Sequence, residues 1–398
     1  MQLRHIYILF LSMLVFAFSQ CNSSPEQDHI TELTKSWEKA VPHQEIPEGL
    51  VSLKSKDCGV CHQDHYKEWL FSTHSHAWTD VQFQGEIAKE TSPFMCINCH
   101  IPLQNQQEYI ISGLYGGDIY KPVKKKNPNF DLELQQEGIN CASCHVRHNA
   151  VIGPTGTDKA PHKTLKDAKH LSEELCISCH NAVDVVTPQL ACSFESGDEW
   201  KVSGFPQKDS NCISCHMPVI ERSIVPGYPK RKSHYHYFAG SGIPKVAGIE
   251  TKMLIGIDIQ PRIIYPSYKL QDSAKFALSI KNSFAGHRVP TGDPERFIII
   301  AFETLSLDSA VLDRKEYRIG EHWEWHPVAK KVSDNNLDPG EERIYTYSYL
   351  NKNTDNKLLH IEVSKHRTTP EHIEYNKLPK DYPAQITIYD KYFPFKVE

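Results

Sequence analysis

This chain has few methionines, no long apolar run and no excess of basic charge. Only five of its 398 residues are methionine, and two of these, Met1 and Met13, lie near an N-terminal apolar run or within it. That run, Ile6–Phe18, is shorter than the roughly 20 apolar residues that a transmembrane helix needs. The formal net charge of −5 argues against nucleic acid as a partner.

Cysteine is scarce outside one recurrent pattern. Ten of the 12 cysteines belong to five copies of C-x-x-C-H, and no cysteine follows the fifth copy. The copies occupy residues 58–62, 96–100, 141–145, 176–180 and 212–216. Each copy predicts a covalent attachment site for haem c, so that five haems are expected.

The spacing of the pattern suits this chemistry. Two thiols must reach the two vinyl groups at one edge of a porphyrin, and cysteines at i and i+3 lie on the same side of a helical turn. A zinc knuckle or a thioredoxin-like pair does not require histidine directly after each unit. The predicted attachment residues are Cys58, Cys61, Cys96, Cys99, Cys141, Cys144, Cys176, Cys179, Cys212 and Cys215. The predicted first axial ligands are His62, His100, His145, His180 and His216.

Histidine is the expected second axial ligand as well. Met95 abuts Cys96 and Met217 abuts His216, so neither methionine can readily turn back onto its own iron. Ligation by two histidines, and with it a low reduction potential, is therefore expected at most irons. Further histidines are available for this role, namely His65, His74, His76, His148, His162, His170, His234, His236 and His287.

Two stretches resemble multihaem cytochromes c. Residues 69–77 resemble the W-x-x-S-x-H-x-x-A stretch after the first motif in a family that includes the tetrahaem electron acceptor of hydroxylamine oxidoreductase. This resemblance implies that His74 is a distal ligand. Gly153-Pro154 followed by residues 160–162 resembles a stretch that supplies another distal ligand between two later motifs, here His162.

The fifth motif continues as C-x-x-C-H-M-P, which is similar to the closing motif of hydroxylamine oxidoreductase and pentahaem nitrite reductase. Residues 236–240 resemble the H-x-F-x-G ligand stretch that follows it there, which implies His236 as a ligand. Pentahaem nitrite reductase usually marks its catalytic haem with C-x-x-C-K. All five motifs here end in histidine, which argues against that enzyme.

Residues 282–292 resemble the G-H-x-x-P-T-G segment of β domains appended to multihaem cytochromes, and two interpretations stay open. In the first, His287 reaches across to cap a haem, or its loop docks against one. In the second, the segment is a tight turn in which Gly292 adopts a conformation that only glycine allows easily. Cys192 has no motif partner, and a buried structural thiol is its expected role.

Composition divides the chain into four parts. Residues 1–21 are typical of a signal peptide, and Cys21 resembles a lipoprotein processing cysteine, with ordinary cleavage nearby or an uncleaved anchor as alternatives. Residues 22–50 are polar and predict a linker. Residues 51–245 predict a mostly α-helical and irregular multihaem cytochrome domain. Residues 246–398 carry short β-type runs between turns and predict an antiparallel β domain, possibly a sandwich.

Two functions are considered. The favoured one is an exported cytochrome without catalytic residues, which carries electrons from a membrane, quinone-linked donor to a periplasmic or extracellular acceptor. A lipid at Cys21 would hold it at a membrane. The alternative is an oxidoreductase that acts on a small nitrogen or sulfur oxyanion at a haem with an open distal position. A redox sensor, or a subunit docked into a larger conduit through its β domain, is a further hypothesis.

Overall fold

The computed structural model describes residues 29–187, 190–325 and 327–398. The predicted signal peptide and Cys21 lie outside the described residues, as does the side chain of Cys192. Within the described part of the chain, no helix combines the length and the apolar character needed to cross a membrane.

Short helices carry the five cysteine motifs. The α-helices before residue 245 are α1 (Ser55–Gly59), α2 (Gln63–Leu70), α3 (Val81–Ile87), α4 (Phe94–His100), α5 (Leu132–Gln135), α6 (Cys141–His145), α7 (Glu173–His180), α8 (Ser196–Val202) and α9 (Cys212–His216), and the 3₁₀-helices are Ser36–Glu38, Gln104–Gln106 and Pro206–Lys208. The first motif spans the junction of α1 and α2, and the others lie on α4, α6, α7 and α9. Helices this short are marginal in isolation, so tertiary contacts must hold them.

Short strands, which the sequence pattern did not predict in this region, connect the helices. They are β1 (Ile30–Thr31), β2 (Tyr109–Tyr115), β3 (Pro122–Lys126), β4 (Val146–Arg147), β5 (Ala150–Gly153), β6 (Thr164–Lys166), β7 (Val183–Thr187), β8 (Leu190–Ser193), β9 (Val219–Ser223) and β10 (Lys230–His234). They form small sheets with the orders β1-β2-β3, β4-β5-β6, β7-β8 and β10-β9. Most of these strands are too short to show a clear alternation of apolar and polar residues.

The segment predicted as a linker is folded from residue 29 onward. β1 pairs with β2, and Leu33 belongs to a buried apolar cluster. The backbone N–H of Gln44 donates to Asn105 Oδ1 at 2.9 Å. In residues 29–50, which the sequence predicts as a linker, these segments therefore pack against the region of the motifs.

Antiparallel strands dominate the region after residue 245, as predicted. They are β11 (Asp258–Ile263), β12 (Ser267–Tyr268), β13 (Ser273–Lys281), β14 (Phe297–Ser306), β15 (Val311–Glu324), β16 (Lys330–Asp334), β17 (Glu342–Leu350), β18 (Lys357–His366) and β19 (Gln385–Val397), with one helix, α10 (Pro370–Tyr375). One sheet has the order β11-β13-β17 and the other the order β12-β19-β18-β14-β15-β16. The named strands of these sheets pair antiparallel, except β12 with β19.

One apolar cluster is shared by the two sheets. Its buried residues alternate along three central strands, because successive side chains of a strand point to opposite faces. They include Phe276, Leu278 and Ile280 of β13, Ile298, Ile300 and Phe302 of β14, and Leu359, Ile361 and Val363 of β18. The β-type runs of the sequence predict β13 and β14 but not β18.

Polar and charged side chains join the two regions. The hydroxyl of Tyr382 lies 2.9 Å from Gln82 Oε1, next to the start of α3. Arg288, in the loop after β13, donates from Nε to Glu199 Oε1 of α8 at 2.7 Å and from Nη2 to Glu195 Oε2 at 2.8 Å. The loops of the β region are thereby held against helices of the region that carries the cysteine motifs.

His372 of α10 forms a charged clamp at this junction. Its Nε2 lies 2.6 Å from Glu86 Oε1 of α3, and its Nδ1 contacts Glu295. Burial alone would lower the pKa of His372, but hydrogen bonds to Glu295 and Glu86 outweigh burial and raise the pKa from 6.5 to about 9. Because the folded pKa is the higher one, the protonated ring stabilises the fold fully below pH 6.5. That contribution is lost as the pH rises through about 9.

We therefore expect His372→Gln to destabilise the protein more at acid than at alkaline pH. The free energy of unfolding should fall by on the order of 1–3 kcal/mol near pH 6, and the difference from wild type should shrink toward about pH 10. Thermal or urea unfolding of both proteins over this pH range measures it. His322→Gln, on an exposed position of β15, is the matched control. A difference for His372→Gln that does not vary with pH would contradict the clamp.

Candidate haem-binding site

A cavity of about 2370 Å³ extends through the region before residue 245 and reaches the β region. Ordinary ligand pockets hold roughly 300–1,000 Å³, so this cavity suits more than one large group. Cysteines from all five motifs border it. So do the motif histidines His62, His145, His180 and His216. Seven histidines from elsewhere in the chain also border it, namely His65, His74, His162, His234, His236, His287 and His366.

Capping residues set the start of two motif helices. Asn140 Oδ1 accepts from the N–H of Ser143 at 2.9 Å, and the Ser143 hydroxyl accepts from the N–H of Asn140 at 3.2 Å. Asn211 and Ser214 make the same reciprocal pair. These capping boxes begin the helix at the first cysteine, so that C-x-x-C occupies one turn with both thiols on the same side.

Four motif histidines face a second imidazole from a distant part of the chain. The ring centroids are 6.5 Å apart for His62 and His162, 6.3 Å for His180 and His74, 6.2 Å for His145 and His236, and 6.2 Å for His216 and His287. A metal with bonds of about 2.0 Å to an imidazole nitrogen on each face places the two centroids about 6 Å apart. The spacing of each pair therefore fits one iron between two imidazoles.

In several of these histidines a backbone contact at Nδ1 leaves Nε2 available to bind a metal. In five of them Nδ1 lies within hydrogen-bond distance of a backbone carbonyl, and a ring that donates there keeps Nε2 as a free lone pair. The pairs are His62 with Ile224 (3.3 Å), His145 with Ile152 (2.9 Å), His216 with Ala239 (2.5 Å), His236 with His234 (2.9 Å) and His287 with Arg288 (2.8 Å).

Burial favours the uncharged imidazole. It lowers the pKa of His74 to about 3 and the pKa of His180 and of His287 to about 4. Metal binding needs the neutral ring, so these side chains require no proton release near neutral pH.

The second motif is arranged differently. Nδ1 of His100 lies 2.6 Å from the carbonyl oxygen of Ala77, and its ring stacks on Phe83 with centroids 3.5 Å apart. Among the residues that the structure describes, no second imidazole faces His100 across a comparable gap. Burial, and after it the charge of Lys245, lowers the pKa of His100 to about 4. The described residues thus supply one imidazole to this motif, whereas they supply two to each of the others.

The W-x-x-S-x-H-x-x-A stretch connects several motifs. The indole of Trp69 donates to the carbonyl oxygen of Ile139 at 2.8 Å, directly before the third motif, and the N–H of Ile139 donates to the His74 carbonyl at 3.1 Å. The Ala77 carbonyl contacts His100 of the second motif. The ring of His74 faces the fourth motif. The residues that carry the family resemblance therefore lie next to three of the five motifs.

A buried ion pair positions His236. The Glu68 carboxylate accepts from the backbone N–H of His236 at 2.8 Å and from Arg222 Nη2 at 3.0 Å. Arg222 also donates to the His234 carbonyl at 2.8 Å. Sequence reasoning missed Glu68 and Arg222, which lie 154 residues apart on α2 and β9 and belong to no motif.

The loop at 282–292 contains the predicted glycine turn and places His287 opposite a motif histidine. It presents His287 to His216, with the two rings inclined by 14°. Gly292 has a φ of +91°, and a Cβ there would lie 3.0 Å from Arg296 Nη1. The turn therefore requires glycine, and the same turn directs a histidine toward the fifth motif.

Thiols of different motifs lie close together. The neighbouring thiols of Cys141 and Cys212 raise the pKa of Cys58 and of Cys176, and the thiol of Cys99 lowers the pKa of Cys179. All of these cysteines are free of disulfides. Cys144 of the third motif also lies near both cysteines of the fourth motif. The motifs are thus neighbours in the order first, third and fourth, and the fourth also contacts the second and the fifth.

Four other candidate histidines make polar contacts of their own. The contacts are His65 Nε2 to Ser233 Oγ (3.1 Å), His76 Nε2 to Leu70 O (3.2 Å), His170 Nε2 to Cys144 O (3.0 Å) and His234 Nδ1 to Met217 O (2.6 Å).

Comparisons with known proteins point to one class. Residues 57–115 match the family model of cytochrome c554 and c-prime. The crystal structure of a penta-heme cytochrome c552 from Thermochromatium tepidum matches with a TM-score of 0.61 and 16% identity, over 88% of this chain and 100% of that chain. The C-terminal domain of wzt matches with a TM-score of 0.21 and 11% identity, over 36% of this chain and 74% of that chain. No curated protein matches.

The chain therefore has the fold of a multihaem c-type cytochrome with a large antiparallel β region at its C-terminal side. The family model covers only the segment around the first two motifs, and the structural match extends the likeness to most of the chain.

We expect His74→Ala to convert one haem of the ferric protein from low spin to high spin, because His180 would lose the imidazole that faces it. Electron paramagnetic resonance and visible spectra measure the change. His76→Ala, two residues away with its ring on the Leu70 carbonyl, is the matched control and should leave the spectra unchanged. An unaltered spectrum for His74→Ala, or the same change in both variants, would remove His74 from the ligands.

Proposed function

We propose that this protein is an exported pentahaem c-type cytochrome that transfers electrons. The observation that supports it most is the set of four facing imidazole pairs around one cavity bordered by cysteines of all five motifs. Haem c bound there would supply one-electron redox chemistry at iron, at the low potentials typical of two imidazole ligands.

Each motif has a definite set of residues for its haem under this proposal. The two cysteines would form thioether links by adding their thiols to the haem vinyl groups, and the motif histidine would bind the iron. The opposite faces would be bound by His162 for the first motif, His236 for the third, His74 for the fourth and His287 for the fifth. For the second motif His100 binds one face, and the other face is open to an exogenous ligand.

The contacts between motifs support electron transfer as the function. Electrons tunnel efficiently only between close redox centres, and thiol contacts connect the attachment edges of neighbouring haems. The fourth motif is the branch point of this arrangement. The donor is a membrane, quinone-linked protein and the acceptor an exported one. Lipid at Cys21 would hold the chain at the membrane, on the periplasmic or outer surface.

The β region is a two-layer sandwich under the same proposal. Its three-stranded and six-stranded sheets share one apolar cluster, which is the packing expected of two sheets face to face. Its loop at 282–292 supplies a ligand to the fifth haem.

The arrangement at His100 favours one alternative function. A haem with an open distal face can bind and reduce a small nitrogen or sulfur oxyanion, and Lys245 places a positive charge near this motif. The protein would then be a multihaem reductase fed by its other four haems.

We expect the pyridine haemochrome assay to give five haems per chain, and the haems to stay bound after denaturation. Replacing both Cys176 and Cys179 by serine should reduce the number to four. Cys192→Ser lies outside the motifs and should retain five. A wild-type value of four or fewer would contradict the proposal.

We expect cyanide to bind the ferric protein with one equivalent per chain, at the haem of the second motif. His74→Ala should raise this to two equivalents, because it opens a second iron. Titration followed by visible spectroscopy measures both numbers. Absence of cyanide binding to the wild type would exclude the reductase and leave electron transfer as the function.

A further inference from the structure

Four basic side chains form a wall of the same cavity. They are Lys245, Arg296, Lys365 and Arg367, hereafter the cationic wall, and all four border the cavity. Three of them come from the β region. Lys365 and Arg367 are only 9% and 7% exposed, at or just beyond the end of β18. Such burial of basic side chains is uncommon unless an anion is near.

Carboxylates balance only part of this charge. Asp80 contacts Lys245 and lies 3.7 Å from Arg367 Nη1. The charge of Asp293 acts on Arg296, whose Nη1 donates to the Thr291 carbonyl at 3.2 Å. Four cations thus have two carboxylate neighbours, and two positive charges are left over.

The shortage of negative charge next to these cations is clearest at Lys365. Its Nζ donates to the Leu254 carbonyl at 2.7 Å, and burial lowers its pKa from 10.5 to about 8. Burial also lowers the pKa of Arg296 and of Lys245. A buried cation held by carbonyl oxygens is stabilised when an anionic oxygen joins it, because that replaces the solvation lost on burial.

Two residues of the wall, Lys245 and Arg296, lie near the fourth motif. The charge of Lys245 acts on His74, and the charge of Arg296 acts on His180, which faces His74. The ring of Phe194 lies between these groups, with its centroid 6.5 Å from that of His180 and its edge 3.4 Å from a Cβ built on Gly292, which would itself lie 3.0 Å from Arg296 Nη1. The anionic oxygens that the wall would bind therefore belong next to this imidazole pair.

We propose that the cationic wall binds the two propionate carboxylates of the haem between His74 and His180. This inference rests on the proposed function, because it takes a haem at the fourth motif as given. Two surplus positive charges match the two propionates of one haem. The β region then neutralises the haem at the branch point of the motifs, in addition to presenting His287 to the fifth motif.

The positive charge of the cationic wall also affects the reduction potential of this haem. Positive charges near an iron favour its reduced form, because reduction removes one unit of positive charge. The β region would thus raise the reduction potential of the central haem relative to the others with two imidazoles. Electrons would then stay longest on the haem of the fourth motif, which is the branch point.

The test is a spectropotentiometric titration of the holoprotein with Arg296→Gln and with Lys365→Gln. Each variant should lower the midpoint potential of one haem and leave the others unchanged, with five haems retained. Arg296→Lys keeps the charge and should retain the wild-type potential. Lys357→Gln is the matched control, since Lys357 is also buried on β18 but donates to Asn353 and Asp355.

Three outcomes would separate the possibilities. Potentials unchanged in Arg296→Gln and Lys365→Gln, with five haems bound, would overturn the inference and leave the proposed function standing. A saturable shift of the wild-type potential with inorganic phosphate would show that the wall takes a free oxyanion, which would also overturn it. Fewer than five haems in the wild type would instead count against the proposed function.

Discussion

The structure depends on neutral, buried imidazoles that face each other across one cavity. Each of the four pairs joins segments far apart in the chain, and the β region supplies a ring to one pair. The apolar clusters in the region of the motifs are small, with four and five buried residues, against 17 in the β region. We infer that bound porphyrins supply most of the apolar burial that this region needs, with the imidazoles as fixed points around them.

The β region also contributes to the cavity and to the contacts around it. Its loop at 282–292 directs His287 toward His216, and Arg288 in that loop is held by carboxylates of α8 and its N-terminal flank. The charged clamp at His372 fixes the opposite side of the junction against α3, the helix that carries Phe83. Movement of the two regions relative to each other would therefore disturb both axial geometry and the charge around the cavity.

The sequence predicted residues of the site that no local pattern indicates, because a family resemblance pointed to them as well. The five motifs follow directly from spacing, because thiols and histidine must share one helical turn. The positions opposite them, such as His74 and His236, came from resemblance, and the structure places them at metal-bridging distances; ligation itself stays a prediction. No pattern indicated the Glu68–Arg222 pair or the packing of residues 29–50, because these contacts depend on partners distant in the chain.

The sequence alone predicts how many attachment sites there are and which residues form them, because that chemistry is confined to five consecutive residues. It also determined the change from helices to strands after residue 245, since the period of two is visible locally. Only the tertiary structure decided which histidines face one another, which motifs lie close together, and that no imidazole of the described residues faces His100. These are distances between segments, and they are set by how the whole chain packs around one cavity.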